Sequence, residues 1–272
     1  LKTIYDAVVR GAPLDFTPYI DVHGHFGTWI ETAVPAALDA GRLIAEMDRW
    51  GCDQVWMTAS EPGFGALMRD KNDVVLGLAQ THPDRILPYC TLSSNEPDLC
   101  LTEFQRCLEY PRCVGVKMHR YDQPAYTLKS GFIQPVLEIL NERRMVYMNH
   151  AYLNLADLEW ALSRYPDLTF INGHMDYKMM ELTGRFSNYY VCTCAAQAPN
   201  AMAGAVERAR GSEKLLVGSD FNLFCLAFGP GMLAYSSISE EDQRNILGRN
   251  AIRILERQPW WSPALLRCTK CP

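Results

Sequence analysis

Apolar and polar positions alternate between two rhythms along this chain. Eight short runs are rich in β-branched and aromatic residues: 19–25, 54–59, 86–92, 113–119, 145–150, 168–174, 189–195 and 215–220. Runs of four to eight such residues between turn signals read as strands. Between them lie stretches whose apolar residues recur at helical spacing: 36–50, 66–80, 95–109, 130–144, 154–165, 177–186, 200–210 and 239–255. Leu38, Leu43, Met47 and Trp50 mark the first, which stops at Gly51. The second is expected to break near Asn72. Asn154 and Ser239 stand where N-caps belong, and Glu240, Glu241 and Asp242 suit the positive end of a helix dipole. Residues 1–18, interrupted by Pro13 and Pro18, read as an N-terminal arm.

Strands alternating with helices imply parallel pairing through right-handed crossovers. Eight such units in about 250 residues is the count that closes a (β/α)8 TIM barrel. The expected organisation is therefore α/β and a single domain: arm 1–18, barrel 19–258 and tail 259–272. A doubly wound open sheet is the competitor, but it requires no particular chemistry at the strand ends. The chain has no internal repeat, no low-complexity tract, and neither a GxGxxG nor a Walker loop.

The strand ends do carry chemistry. Five of the six histidines sit there: His23 and His25 on strand one, His119 on strand four, His150 on strand five and His174 on strand six. Lys117 shares the face of His119, and Asp220 ends strand eight. Strict alternation also puts Asp21 on the face of His23 and His25. In a barrel these ends form one mouth. Imidazole nitrogens and a carboxylate are ordinary ligands for Zn²⁺ or Mn²⁺. His82, ahead of Pro83, reads as a turn residue. His23 and His25 taken alone could equally be core histidines bonded to carbonyls.

Composition narrows the field. The chain has 272 residues, 48% hydrophobic and 21% charged, with a formal net charge of −5. That is ordinary for a globular protein with a sizeable core, and it argues against nucleic acid as a partner, which calls for a basic stripe. No apolar run approaches the roughly 20 residues of a membrane span, and no apolar signal core follows Leu1-Lys2-Thr3-Ile4-Tyr5. Ten cysteines are many, but Cys90, Cys113, Cys192 and Cys194 lie in apolar strand-like runs, where a thiol packs as a small hydrophobe. A reducing, cytoplasmic setting is expected. Cys268 and Cys271 form a lone CxxC, read as a reduced tail.

Taken in order, Ile20-Asp-Val-His-Gly-His25, Asn72 to Arg85, Val114-Gly-Val-Lys-Met-His119, Asn149-His150, Tyr165 to His174, Gly218-Ser-Asp220 and Gly248 to Leu255 resemble the amidohydrolase superfamily. The resemblance covers nearly the whole chain. It points to the amidohydrolase-related branch that includes decarboxylases of the aminocarboxymuconate-semialdehyde type. It implies one divalent metal, Zn²⁺ before Mn²⁺, held by His23, His25, His150 and Asp220. It also implies that His174 faces the metal-bound water or the substrate, and that Asp220 doubles as a proton acceptor. Lys117 would be either a carbamylated bridge between two metals or a cation beside the substrate, the second being the expectation. His119, Arg120 and Tyr152, at or just past strand ends, are candidates for substrate contact, with Tyr126 a weaker one.

The expected activity is hydrolysis: metal-activated water attacks an amide, ester or lactone carbonyl of a small molecule, with His174 and Asp220 managing protons. The alternative is a metal-dependent decarboxylase, and a metal-binding scaffold without turnover comes third. Two departures from the family pattern stand out. Asn222 follows Asp220 where many relatives carry proline, and no strand is followed by a long insertion. A more open site follows, or one completed by a partner subunit in a homo-oligomer.

Overall fold

The computed structural model describes residues 3–27, 39–60, 68–119, 125–152, 154–194, 196 and 198–266. Eight parallel strands run in the order β1 to β8: Ile20–Phe26, Gln54–Ala59, Ile86–Leu92, Gly115–Met118, Val146–Asn149, Thr169–Asn172, Tyr189–Cys192 and Leu215–Leu216. Every neighbouring pair is consecutive in sequence. Closure comes from the main chain around β8: Val22 N–H donates to Val217 O at 3.1 Å and Asp220 N–H to His23 O at 2.9 Å. The result is the expected (β/α)8 barrel.

Its core has two layers. Ile20, Val22, Trp56, Leu87, Tyr89, Met148, Ile171 and Leu216 fill the interior, which Ala251, Ile254 and Leu255 close at the end away from the strand C-termini. A larger layer packs the outer strand faces against the surrounding helices. Alternating side chains serve both layers, which is why the strands read as continuous apolar runs.

The helices are α1 (Ile4–Val9), α2 (Ala40–Trp50), α3 (Met68–Thr81), α4 (Cys100–Cys107), α5 (Gln134–Glu142), α6 (Leu155–Arg164), α7 (Tyr177–Met180), α8 (Pro199–Ala209), α9 (Phe228–Ala234), α10 (Glu240–Arg244) and α11 (Asn250–Leu255). Gly51 ends α2 in the left-handed region at φ 70°, a conformation that suits glycine. Asn154 and Ser239 cap α6 and α10 through Asp157 N–H and Asp242 N–H.

Three expectations change. α3 runs unbroken through Asn72, because that side chain serves tertiary structure: it accepts from Thr91 N–H at 2.7 Å and donates to Glu103 Oε1 at 2.8 Å. The arm is partly helical: α1 packs on α9, with Tyr5 and Tyr235 edge to face at 5.6 Å and Ile4 N–H on Glu240. The stretch expected as one last helix carries a π turn, Asn245–Arg249, between α10 and α11.

Candidate active site

The phase of β1 shapes the site. Its register against β2 slips between Asp21 and Gly24, a β-bulge. Ile20 and Val22 belong to the barrel interior, whereas Tyr19 packs in the outer layer. A Cβ on Gly24 would meet Val55 and Met57, which also lie outside. The bulge thus lets His23 face inward directly after Val22, with His25 beside it. Asp21 is turned to the opposite side, which corrects the expectation of a shared face. Bulges next to active sites re-aim side chains in this way. Asp21 is fully buried there. It accepts from His23 N–H at 3.0 Å and from Ser219 N–H at 3.1 Å, and the Ser219 hydroxyl donates to it as well. Burial, only partly offset by these bonds, raises its carboxyl to about 6.

The hydrogen bonds set both imidazole tautomers. His23 Nδ1 donates to Gly173 O at 2.8 Å. Thr58 Oγ1 donates to Ala59 O, so at 3.0 Å it accepts from His25 Nδ1. Each ring keeps Nε2 as an electron-pair donor, and both Nε2 atoms converge on Asp220 Oδ1, at 3.4 and 3.1 Å. Asp220 sits at φ 57°, a left-handed turn that aspartate tolerates better than most residues.

The remaining strand ends close in. Lys117 Nζ contacts His23 Nε2. His174 Nε2 lies 3.2 Å from His150 Nδ1, and the His119 and His150 rings are 4.1 Å apart. The ligand atoms of His23, His174, Cys194 and Asp220 all lie within 4.8 Å of one another. His174 therefore stands among the converging donors, with His150 directly behind it. Cys194 was missed as a candidate. It continues the inward series Tyr190, Cys192 on β7, so the rule that located the histidines would have found it.

Burial lowers the pKa of every histidine here, with Lys117 adding to it: His119 to about 3 and His174 to about 4, and His23, His25 and His150 also downward. Burial takes the Lys117 ammonium to about 8. Burial opposes ionisation of Asp220, but His23, His25 and Lys117 outweigh it and hold the carboxyl far below the usual range. Burial, with Cys192 beside it, pushes the Cys194 thiol well up. Neutral imidazoles around an ionised carboxylate are the donor set a divalent ion takes, so the residues fit a metal.

Tyr152, three residues past β5, turns its side chain into the core. It is buried, its hydroxyl donates to Tyr147 O at 3.4 Å, and its ring packs edge to face on Tyr189. Tyr126 is likewise engaged with Tyr147 and Asn149. Arg120, Cys268 and Cys271 lie outside the described residues. His82 is the turn residue expected, at the end of α3. A cleft of about 530 Å³ opens at the far end of the barrel, between Tyr110, Arg144, Arg257 and Trp260, remote from this cluster.

An eight-stranded barrel with imidazoles and a carboxylate gathered at its C-terminal mouth defines a metal-dependent enzyme. The Amidohydrolase family model matches residues 20–257, and the chain belongs to that family. A search of curated proteins returns no match. Among solved structures, a dihydroxybenzoic acid decarboxylase from Polaromonas sp. JS666, with bound manganese and the inhibitor 2-nitroresorcinol, is similar at TM-score 0.70 and 17% identity, covering 88% of this chain and 97% of that one. A 5-carboxyvanillate decarboxylase from Sphingomonas paucimobilis is similar at TM-score 0.68 and 16% identity, over 88% and 99%. A putative amidohydrolase from Staphylococcus aureus has TM-score 0.68 and 14% identity, over 88% and 99%. These likenesses bear out the barrel, and the family match bears out the amidohydrolase resemblance. Among the described residues no helix is long and apolar enough to cross a membrane.

Proposed function

We propose that the protein is a metal-dependent decarboxylase of a small carboxylic acid, with hydroxylated aromatic acids as the first class to test. The reading rests on a buried cation, Lys117, among neutral imidazoles and the ionised Asp220, on a fold whose solved relatives include dihydroxybenzoate and carboxyvanillate decarboxylases. His23, His25 and Asp220 would hold the metal, with His150 or His174 completing the set. When bound, a divalent ion supplies the Lewis acid that neutralises charge on substrate oxygens.

The side chains divide the remaining work. Lys117 attracts the carboxylate and, with His119, orients it. In the reaction the bond from the carboxyl carbon to its neighbour breaks and carbon dioxide leaves. The electron pair stays on the vacated carbon, which then takes a proton. His174 and His150 share a proton between Nε2 and Nδ1, and the Asp220 carboxylate beside them is placed to accept a hydrogen bond from a substrate hydroxyl. Hydrolysis of an amide, ester or lactone is the second reading, favoured by the family match.

A panel of hydroxybenzoates, esters and lactones, assayed with metal-loaded protein in D₂O and in H₂¹⁸O, separates the two. Carbon dioxide release with one deuterium at the vacated carbon is expected. Solvent ¹⁸O in the product, without carbon dioxide, would establish hydrolysis instead.

A further inference from the structure

We propose that Cys194 is a ligand of the metal, making the centre a mixed nitrogen, oxygen and sulfur site that selects a thiophilic ion such as Zn²⁺ over Mn²⁺. The inference rests on the metal centre proposed above and deepens it by adding a donor and choosing the ion.

Placement carries the case. Cys194 follows β7 in the inward series of Tyr190 and Cys192, and it is 1% exposed. Its Sγ lies within 4.8 Å of the donor atoms of His23, His174 and Asp220, and those atoms lie within 4.8 Å of one another. With Zn–N near 2.0 Å and Zn–S near 2.3 Å, neighbouring donors of a four- or five-coordinate zinc stand roughly 2.8–3.7 Å apart, which leaves His25 Nε2, 3.1 Å from Asp220 Oδ1, its place as a fifth donor. Side-chain adjustments of about 1 Å would therefore bring this group to bonding distance.

The surroundings hold Cys194 in that position. The backbone of Cys194 hydrogen-bonds the His174 ring, so residue 194 orients one donor while supplying another. Gly218 faces it across β8: a Cβ there would stand 3.5 Å from Cys194 Cβ and 2.7 Å from His23 Cβ. The absent side chain lets β7 approach His23. Eight cysteines are described as free thiols, and Cys194 alone among them belongs to such a donor group.

Thiolate sulfur is a soft donor that suits zinc, whereas manganese prefers carboxylate, carbonyl and water oxygen. Two solved decarboxylases of similar fold hold manganese. A cysteine among the ligands would set this protein apart from them in metal choice.

The test is cobalt substitution of the purified full chain. Co²⁺ bound to thiolate gives a sulfur-to-metal charge-transfer band in the near ultraviolet, separate from the visible ligand-field bands that any cobalt site shows. The wild type should show both sets. Cys194→Ser and Cys194→Ala should lose the charge-transfer band and keep the ligand-field bands, and Cys192→Ser should keep both. Zinc affinity should fall more than about 100-fold in Cys194→Ser, beyond the 10–100-fold loss caused by removing an outer partner, and manganese affinity far less. X-ray absorption of the zinc-loaded wild type, which needs no variant, should show one sulfur scatterer near 2.3 Å. Ligand-field bands without charge transfer, or zinc surrounded only by nitrogen and oxygen, would overturn the role of Cys194 and leave the metal centre standing. Failure of the wild type to take up cobalt, zinc or manganese would overturn the metal centre itself, and this proposal with it.

Discussion

At the scale of single residues, the site is built by partners that are not themselves donors to a metal. Gly173 O fixes His23 and Thr58 Oγ1 helps fix His25, each by accepting a hydrogen bond from Nδ1–H and leaving the Nε2 lone pair for the mouth. Such outer partners typically account for 10–100-fold in metal affinity. Thr58→Val removes the hydroxyl partner of His25 while keeping the shape of the side chain and the Ala59 main-chain hydrogen bond to the ring. Its zinc affinity, measured by competition with a chromophoric chelator, should drop by roughly that factor, with the folded spectrum unchanged. An unchanged affinity would mean that the Thr58 hydroxyl does not orient the ring and that the Ala59 main chain suffices. His23→Ala removes a donor outright. Elemental analysis should find about one equivalent of metal in the wild type and almost none in this variant. Full metal content in the variant would sink the assignment, and two equivalents in the wild type would revive a carbamylated Lys117.

At the scale of elements, β1 and β8 depend on each other, and Asp21 is the link. It takes two main-chain N–H groups and a hydroxyl, one of the three from its own strand and two from the residue before Asp220. Hydrogen bonds to a charged group contribute about 1.5–3 kcal/mol each, and burial of the carboxylate offsets part of that. Asp21→Ala should therefore lower stability by about 2–4 kcal/mol in urea unfolding, and Asp21→Asn by less, since its amide oxygen still accepts. Equal losses would show that only packing matters here. The strands and their terminal histidines were legible because apolar runs of strand length end in polar groups. The face of Asp21 was not, because a bulge comes from pairing with β2 and leaves no mark in the pattern of β1. Asn72 misled for a related reason: its hydrogen-bond partners, Thr91 and Glu103, are remote in sequence. Cys194 was legible as a strand-end residue but was read as core, since a thiol looks the same in either role.

At the scale of the whole molecule, the barrel buries acidic protons as well as apolar surface. Cys90, Tyr89 and Tyr147 lie in the core, and burial raises each well above its usual pKa; Cys113 is pushed up to about 12. In the unfolded chain these groups ionise near 8.5 for cysteine and 10 for tyrosine. Below about pH 7.5, a unit under the unfolded cysteine pKa, both states hold these protons and the groups add no pH dependence to stability. Between about pH 9 and 12 the unfolded chain has released protons that the folded barrel retains. The unfolded state then binds fewer protons, so stability falls as pH rises, by up to about 1.4 kcal/mol per pH unit for each such group. Urea midpoints should be level near pH 7 to 7.5, begin to fall by about pH 8 as the unfolded cysteines ionise, and fall steeply above 9. The same series on Cys90→Ala and Cys113→Ala apportions the effect: each variant should start less stable at pH 8 and fall less steeply above 9. A slope unchanged by both substitutions would place the alkaline transition on the tyrosines, and a level profile to pH 11 would mean that these groups ionise alike in the folded and unfolded chain.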